Sequence, residues 1–477
     1  NAAGKQKILI ELYDNFFTKA FRRTVDKLGI AYTPTEVVDF ILRSADGAMR
    51  QEFQQALSDE NVHILDGFLG TGTFLVRLLQ TGLVKPEDLP RKYANELHGN
   101  EILLLAYYIA TVNLETTYQE ITGESKAFEG LVLTDTFQSW EPNDVVDLEV
   151  FEENNKRIEA LKQLKITVIV GNPPYSAGQG SANDNNANEK YPLLDEEIRQ
   201  TYAKHSTAKR LGSLYDSYIR AIKWASLRVE ERGVIAYITN GGWIDSNTGD
   251  GLRKTLADEF SAIYVYNLRG NGLVGGEQGR REGRPLFEFG GWRDDGSEIK
   301  NTEGGSRATI AIVMLVKNPN HIGPATIHYS EVEDYLSAGQ KIRAIESAES
   351  MFGLPLEQIA PNQHGDWINQ RRDDFLEYLP VTDIFQVTSA GLKTNRDAWN
   401  YNSSATELRE NVQRTISFYN QQVESVAAGA AIDMNLKKIS WDRVPLKDVK
   451  RGKRYEVVET AYRVAHYRPF FKQAAYV

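Results

Sequence analysis

Between about residue 60 and residue 320, short apolar runs alternate with longer stretches whose apolar positions recur at helical spacing. Such alternation predicts a doubly wound α/β sheet with helices on both faces. Seven runs read as strands: Val62–Asp66, Glu96–Glu101, Leu131–Thr134, Ile166–Val170, Val234–Thr239, Ala262–Leu268 and Thr309–Val316. Ile102–Leu114 and Leu214–Val229 carry the spacing of crossover helices. The last two strands are separated by a glycine-rich stretch, Gly270–Ser306, with no helical pattern, so they are expected to pair as a long antiparallel hairpin.

Ahead of the sheet, Glu11–Leu28 reads as an amphipathic helix. Thr33 as N-cap and Pro34 at the first helical position predict a second helix over Thr35–Arg43. Beyond Lys317 the alternation stops at Pro319, Gly323 and Pro324, and the remainder of the chain is richer in aromatic, Asn and Arg residues without a clear period. A boundary near 345 divides the chain into 1–345, whose residues 1–60 are a helical N-terminal part, and 346–477. Asn1–Lys7 hold no initiator methionine and resemble neither a signal nor a transit peptide, so the chain is expected to be cut from something longer.

Composition narrows the class. With 477 residues, 41% hydrophobic and 25% charged, the chain can bury a sizeable core, and the composition is that of a soluble globular protein. No apolar run reaches the roughly 18 residues of a membrane span, which leaves a cytoplasmic setting as the expectation. Zero cysteines exclude disulfides, thiolate zinc sites and thiol nucleophiles. The seven histidines show no metal-ligand spacing, so no metal is expected. A net charge of -10 taken as an average argues against a polyanionic partner, but the charge is unevenly spread. Residues 101–200 hold 7 basic against 18 acidic side chains, whereas residues 401–477 hold 13 against 8. A locally basic C-terminal part can therefore meet nucleic acid while the acidic segment faces solvent.

Two segments carry chemistry. In Thr167-Val168-Ile169-Val170-Gly171-Asn172-Pro173-Pro174-Tyr175, a buried strand runs into a stiff turn. Pro173 and Pro174 have fixed φ and no N–H, so their carbonyls are held as acceptors beside the Asn172 side-chain carbonyl. This cluster can accept both hydrogens of an exocyclic amine, and Tyr175 offers a flat face to a planar base. An isolated Asn-Pro-Pro is equally a proline-stiffened strand exit. In His63-Ile64-Leu65-Asp66-Gly67-Phe68-Leu69-Gly70-Thr71-Gly72-Thr73-Phe74, a strand passes through a glycine turn into a helix. Such a turn serves NAD, FAD or S-adenosylmethionine, or helix packing alone, and no P-loop lysine follows it. Glu101 and Asp135 end the next two strands, so residues 66, 101, 135 and 172 converge on one edge of a parallel sheet, where α/β ligand sites form.

With these motifs in this order the sequence resembles the gamma group of adenine-N6 DNA methyltransferases. That family runs from a Thr-Pro helix (here Tyr32 to Val38) through the glycine turn (Asp66 to Phe74) and Asn-Pro-Pro-Tyr (Asn172 to Tyr175) to a target-recognition domain. The likeness covers most of residues 1–320. Glu11 to Phe17, Gly391 to Asp397 and Tyr467 to Phe470 narrow it to the methyltransferase and recognition part of Type ISP restriction-modification enzymes. The resemblance implies a Rossmann-like methyltransferase sheet over 1–345 and an incomplete target-recognition domain over 346–477. It implies S-adenosylmethionine as cofactor, with Thr33, Pro34 and Thr35 closing its site, Asp66, Gly70, Gly72 and Phe74 around its methionine part, Glu101 on the ribose and Asp135 by the adenine. Asn172, Pro173, Pro174 and Tyr175 would hold a flipped adenine of duplex DNA. One departure is Gly67, where family members have proline. No motif locates the family's second aromatic clamp. Nuclease and helicase modules, which Type ISP enzymes carry ahead of the methyltransferase, are expected on the full-length polypeptide.

Arg280, Arg281 and Arg284, together with Lys450, Arg451, Lys453 and Arg454, form two basic clusters and are the candidate phosphate contacts. The alternatives are methylation of RNA or of a protein glutamine, for which Asn-Pro-Pro-Tyr also serves, and a DNA-recognition module without catalysis.

Overall fold

The structure, a computed structural model, describes residues 33–141, 152–174, 191–272, 274, 276–287, 291–292, 298–299, 308–388, 391–392, 394, 396–433, 435, 438–439, 441, 443–467 and 471–477. The predicted alternation becomes a central sheet built from β1 (Ile64–Asp66), β2 (Leu97–Glu101), β3 (Leu131–Leu133), β4 (Val168–Gly171), β5 (Gly233–Asn240), β6 (Ala262–Arg269), β7 (Ile310–Lys317), β8 (Thr326–Glu331) and β9 (Glu357–Ile359). Its order is β9-β8-β6-β7-β5-β4-β1-β2-β3. Strands β3, β2, β1, β4 and β5 are mutually parallel. β7 lies antiparallel between β5 and β6, so the expected β6/β7 hairpin is present.

The sheet has nine strands where the sequence predicted seven. β8 pairs parallel with β6 and β9 closes the edge antiparallel to β8. Both were hidden for a physical reason: strands at the margin of a sheet bury little, so β8 reads as the mixed Thr-Ile-His-Tyr-Ser-Glu and β9 as a largely exposed triplet.

One face of the sheet is covered by α1 (Thr35–Phe53), α2 (Thr73–Gln80) and α3 (Leu104–Thr122), the other by α4 (Glu152–Gln163), α5 (Pro192–Ile198), α6 (Ser217–Arg228) and α7 (Asp250–Glu259). Alternation along β5 feeds both cores, Val234, Ala236 and Ile238 on the first face and Ile235 and Tyr237 on the second. The Glu11–Leu28 helix lies outside the described residues. Thr33 does not cap α1. Pro34 takes the N-cap position with φ -55° and ψ 142°, and its carbonyl accepts from the Val37 and Val38 N–H groups, which places Thr33 one residue outside the helix. α1 also runs ten residues past the predicted Arg43, because Ala45, Ala48 and Met49 keep its buried face apolar.

The chain divides into compact units at Arg371/Arg372, beyond the 345 expected from sequence. The residues between belong with the sheet: β9 pairs in it, and the fully buried Arg253 of α7 donates from Nε to the Gly365 carbonyl at 2.8 Å. Arg253 Nη1 reaches the Trp243 and Ser246 carbonyls at 2.7 and 2.9 Å. The second unit has a three-stranded antiparallel sheet of β10 (Tyr401–Asn402), β11 (Tyr462–Tyr467) and β12 (Phe471–Tyr476), in the order β10-β12-β11. A small core around Tyr419 and Val423 fills it, and Tyr419 stacks on Tyr455 at 4.1 Å. Among the described residues, no helix is long and apolar enough to cross a membrane.

Arg253→Met should remove the side-chain donor to the Gly365, Trp243 and Ser246 carbonyls, of which Ser246 keeps the Gly249 N–H, and destabilise the first unit by about 3 kcal/mol, read as a lower urea midpoint at unchanged slope.

Candidate active site

Because β1, β2, β3 and β4 are parallel, their C-terminal ends share one edge, and chain connections run away from one another at β1 and β4. Asp66 ends β1. It is fully buried, its Oδ1 accepts the Phe68 N–H at 3.0 Å, and its Oδ2 has no partner among the described residues. Burial pushes its carboxyl up to about 7, against the Phe68 hydrogen bond, and the nearby Glu101 adds to the rise.

The turn after Asp66 needs its glycines. Gly70 has φ 57° with open space where a Cβ would project, which leaves room for a ligand against the backbone. Gly72 has φ 85° and starts α2 at the Ala110 backbone of α3, where a Cβ would sit 3.3 Å from the Ala110 Cβ. Glu101 braces this turn: Oε2 accepts from the Gly70 N–H and Oε1 from the Leu103 N–H, both at 2.7 Å. Burial pushes the Glu101 carboxyl to about 7 despite these amides. Each oxygen keeps a second lone pair for a ligand hydroxyl.

Asp135 follows β3. Its Oδ1 accepts from the Phe137 N–H and its Oδ2 from the Tyr191 hydroxyl, each at 2.9 Å. Phe74, on the first turn of α2, is buried in the core shared with α1 and α3. The Thr35 hydroxyl donates to Glu36 at 3.2 Å.

Asn172 leaves β4 next to Asp66. A Cβ on Gly171 would stand 2.8 Å from Asp66 Oδ1, so only glycine lets the two strand ends approach this closely. The Asn172 Nδ2 donates to the Thr33 hydroxyl oxygen at 2.8 Å, joining the start of α1 to the Asn-Pro-Pro turn across 139 residues. Pro173 is buried and Pro174 half-buried. Tyr175 lies outside the described residues. Thr33, Asp66, Gly70, Glu101 and Asn172 are thus brought together, with Asp135 on the neighbouring strand end.

Sequence reasoning missed Gly171 and Tyr237. Tyr237 sits opposite Gly171 in the register of β5, is fully buried, and has a hydroxyl without a partner among the described residues. Burial, reinforced by Asp66, pushes its phenol far above the usual range. Its only signal in the sequence was a tyrosine in an otherwise apolar strand.

The basic candidates fall into two groups. Arg280 pairs with Glu277 at 2.6 Å, and Arg281 lies 3.7 and 3.8 Å from Glu277 and Asp334. Arg284 is exposed. In the second unit Lys453 pairs with Asp448 at 3.1 Å and Arg454 with Glu424 at 2.8 Å, while Lys450 and Arg451 are exposed.

Two family models match the chain: the Eco57I restriction-modification methylase over residues 95–272, and the Type ISP C-terminal specificity domain over residues 383–477. The chain joins an Eco57I-type methylase domain to a Type ISP specificity domain. A nuclease-deletion mutant of the Type ISP restriction-modification enzyme LlaGI, solved with a DNA substrate mimic, is 39% identical with a TM-score of 0.82, over 99% of this chain and 38% of that one. The ATP-dependent Type ISP enzyme LlaBIII bound to DNA is 37% identical with a TM-score of 0.82, over 100% of this chain and 31% of that one. The Type II methyltransferase M.BstVI of Geobacillus stearothermophilus is 24% identical over 250 residues, 50% of this chain and 38% of that protein. The chain therefore spans between 31 and 38% of these relatives' length. The methylase match takes in Glu101, Asp135 and Asn172, and the specificity match takes in the four candidate phosphate contacts Lys450, Arg451, Lys453 and Arg454.

A carboxyl raised from 3.8 to about 7 keeps its proton in the folded state where the unfolded chain has lost it. Its cost is absent below about pH 4 and complete above about pH 7, so stability falls as pH rises through that window. Asp66→Asn should therefore raise the melting temperature of the ligand-free protein at pH 8, by an amount on the order of a few kcal/mol of stability, and change little at pH 4. Calorimetric scans at both values check this.

Proposed function

We propose that this chain is the modification part of a restriction-modification enzyme. It transfers the methyl group of S-adenosylmethionine to N6 of an adenine flipped out of a specific duplex DNA sequence, which protects host DNA. The observation that carries this reading is the Asn172 amide, placed by Gly171 beside the buried Asp66 and the braced glycine turn, in a chain whose second domain is a specificity domain. That domain favours duplex DNA over RNA or a protein glutamine as substrate.

The residues present fit the cofactor. The Asp66 Oδ2, which has no partner among the described residues, suits its ammonium group, the open side of Gly70 admits its methionine part, and the Glu101 lone pairs suit its ribose. When bound, S-adenosylmethionine supplies an electrophilic sulfonium methyl. The protein's task is to prepare the acceptor. The adenine amine is a poor nucleophile because its lone pair is delocalised into the ring. Hydrogen bonds from its two N–H groups to the Asn172 Oδ1 and the Pro173 carbonyl favour a tetrahedral nitrogen and localise that pair toward the methyl. Formation of the N–C bond would break the sulfonium–methyl bond, whose electron pair stays on sulfur as a neutral thioether, and one N–H proton leaves for water, since amide oxygens are too weakly basic to keep it. Tyr175 stacks on the flipped base, offsetting part of the few kcal/mol that flipping costs. With zero cysteines, the chain has no thiol for covalent attack on a cytosine ring. The nuclease and ATP-driven modules of the longer relatives are the partners proposed for the full-length polypeptide.

Methylation-sensitive sequencing of plasmid DNA incubated with protein and S-adenosylmethionine tests the reaction, base and target together; unmodified DNA would refute it. Asn172→Ala should abolish transfer while cofactor affinity stays within about threefold, measured by single-turnover kinetics and calorimetry, since its role lies at the acceptor amine. Lys450→Ala with Arg451→Ala should flatten the salt dependence of DNA binding by about 2 units of slope, from roughly 0.9 per phosphate contact. The paired Lys453 and Arg454 should contribute less to that slope, because each is already engaged by an acidic side chain and is less available to a phosphate.

A further inference from the structure

We propose that Thr33 is a positioning residue for the acceptor amide, acting through Asn172. The inference rests on the methyl-transfer reading and assigns Thr33 to the substrate side of the site, whereas family resemblance placed it with the cofactor. Thr33 is buried, stands just outside α1, and accepts the Asn172 Nδ2 hydrogen at 2.8 Å. It is fixed there by its neighbours. Pro34 restricts the backbone at the helix entry, and Val37, Val38 and Ile41 anchor the first turns of α1 in the core.

An asparagine amide has a donor end and an acceptor end on one plane, and rotation by half a turn exchanges them. With Nδ2 committed to Thr33, Oδ1 is turned to the opposite side of that plane. Only this orientation offers the adenine amine an acceptor; the flipped amide would present N–H to N–H. A threonine hydroxyl can fill this role because its oxygen accepts, and valine, of the same shape, cannot.

The test compares Thr33→Val and Thr33→Ser with wild type in the complete chain, using S-adenosylmethionine and duplex DNA containing the target. Single-turnover methylation is measured with both at saturation, alongside cofactor affinity by calorimetry. Thr33→Val should slow methyl transfer about 10- to 100-fold, the range for losing a buried hydrogen-bond partner, with cofactor affinity within about threefold. Thr33→Ser, which keeps the oxygen, should restore the rate to within about threefold of wild type. Preserved cofactor affinity in both variants reports an intact fold. A Thr33→Val rate equal to wild type, or a loss confined to cofactor affinity, or a Thr33→Ser variant as slow as Thr33→Val, would overturn the assignment. A wild-type chain that methylates no DNA would instead overturn the functional reading itself.

Discussion

The carboxylate of Glu101 is the fastening on which the candidate site depends. By accepting from the Gly70 and Leu103 amides, it ties the turn after β1 to the entry of α3 and sets where a ligand can lie against the sheet edge. Loss of this brace would leave two half-buried N–H groups without their acceptor and release a turn in which Gly70 and Gly72 take left-handed conformations. The arrangement is expensive in its own right, since burial raises both Glu101 and Asp66 to about 7. Placing two reluctant carboxyls at one edge makes sense where a cationic, hydroxylated ligand completes them, and the cores on both faces of the sheet supply the stability that tolerates the strain.

The two faces divide the work. The α1, α2 and α3 face carries the Thr33 entry, the glycine turn and the Glu101 brace, while the other face surrounds Tyr237 and Phe68 with aromatic packing, including Trp224 and Phe137. Gly171 is where the two meet. Lacking a side chain, it lets Asp66 from one strand and Tyr237 from another close around the same backbone.

Burial explains which parts of the fold were legible in the sequence. The seven predicted strands are mostly apolar runs bounded by turn residues, so periodicity found them, and the parallel order then brought Asp66, Glu101, Asp135 and Asn172 to one edge. The marginal strands β8 and β9 bury too little to leave such a pattern, and missing them drew the domain boundary short of Arg371. Local rules also misplaced Thr33: Thr-Pro reads as cap and first turn, but a contact spanning 139 residues claims the hydroxyl. Periodicity has no means of seeing such a partner, nor the polar end of Tyr237 inside an apolar strand. Charge counting fared similarly, because it could not tell that Lys453 and Arg454 are paired with acids.

The reversed strand β7 has a quieter consequence. β6 leaves the sheet at Arg269 and β7 enters it at Ile310, both on the edge that holds Asn172, and β7 is locked to β6 over seven residue pairs and to β5 over eight. Part of the connection is itself built in, as the helix Gly276–Glu282 and the buried Leu286 and Phe287, but with both legs anchored so firmly, flexible chain added to it would cost only about 0.6 kcal/mol of closure entropy per doubling of length. The hairpin is thus a port at which evolution can insert chain beside the candidate site while the register of the parallel strands stays untouched.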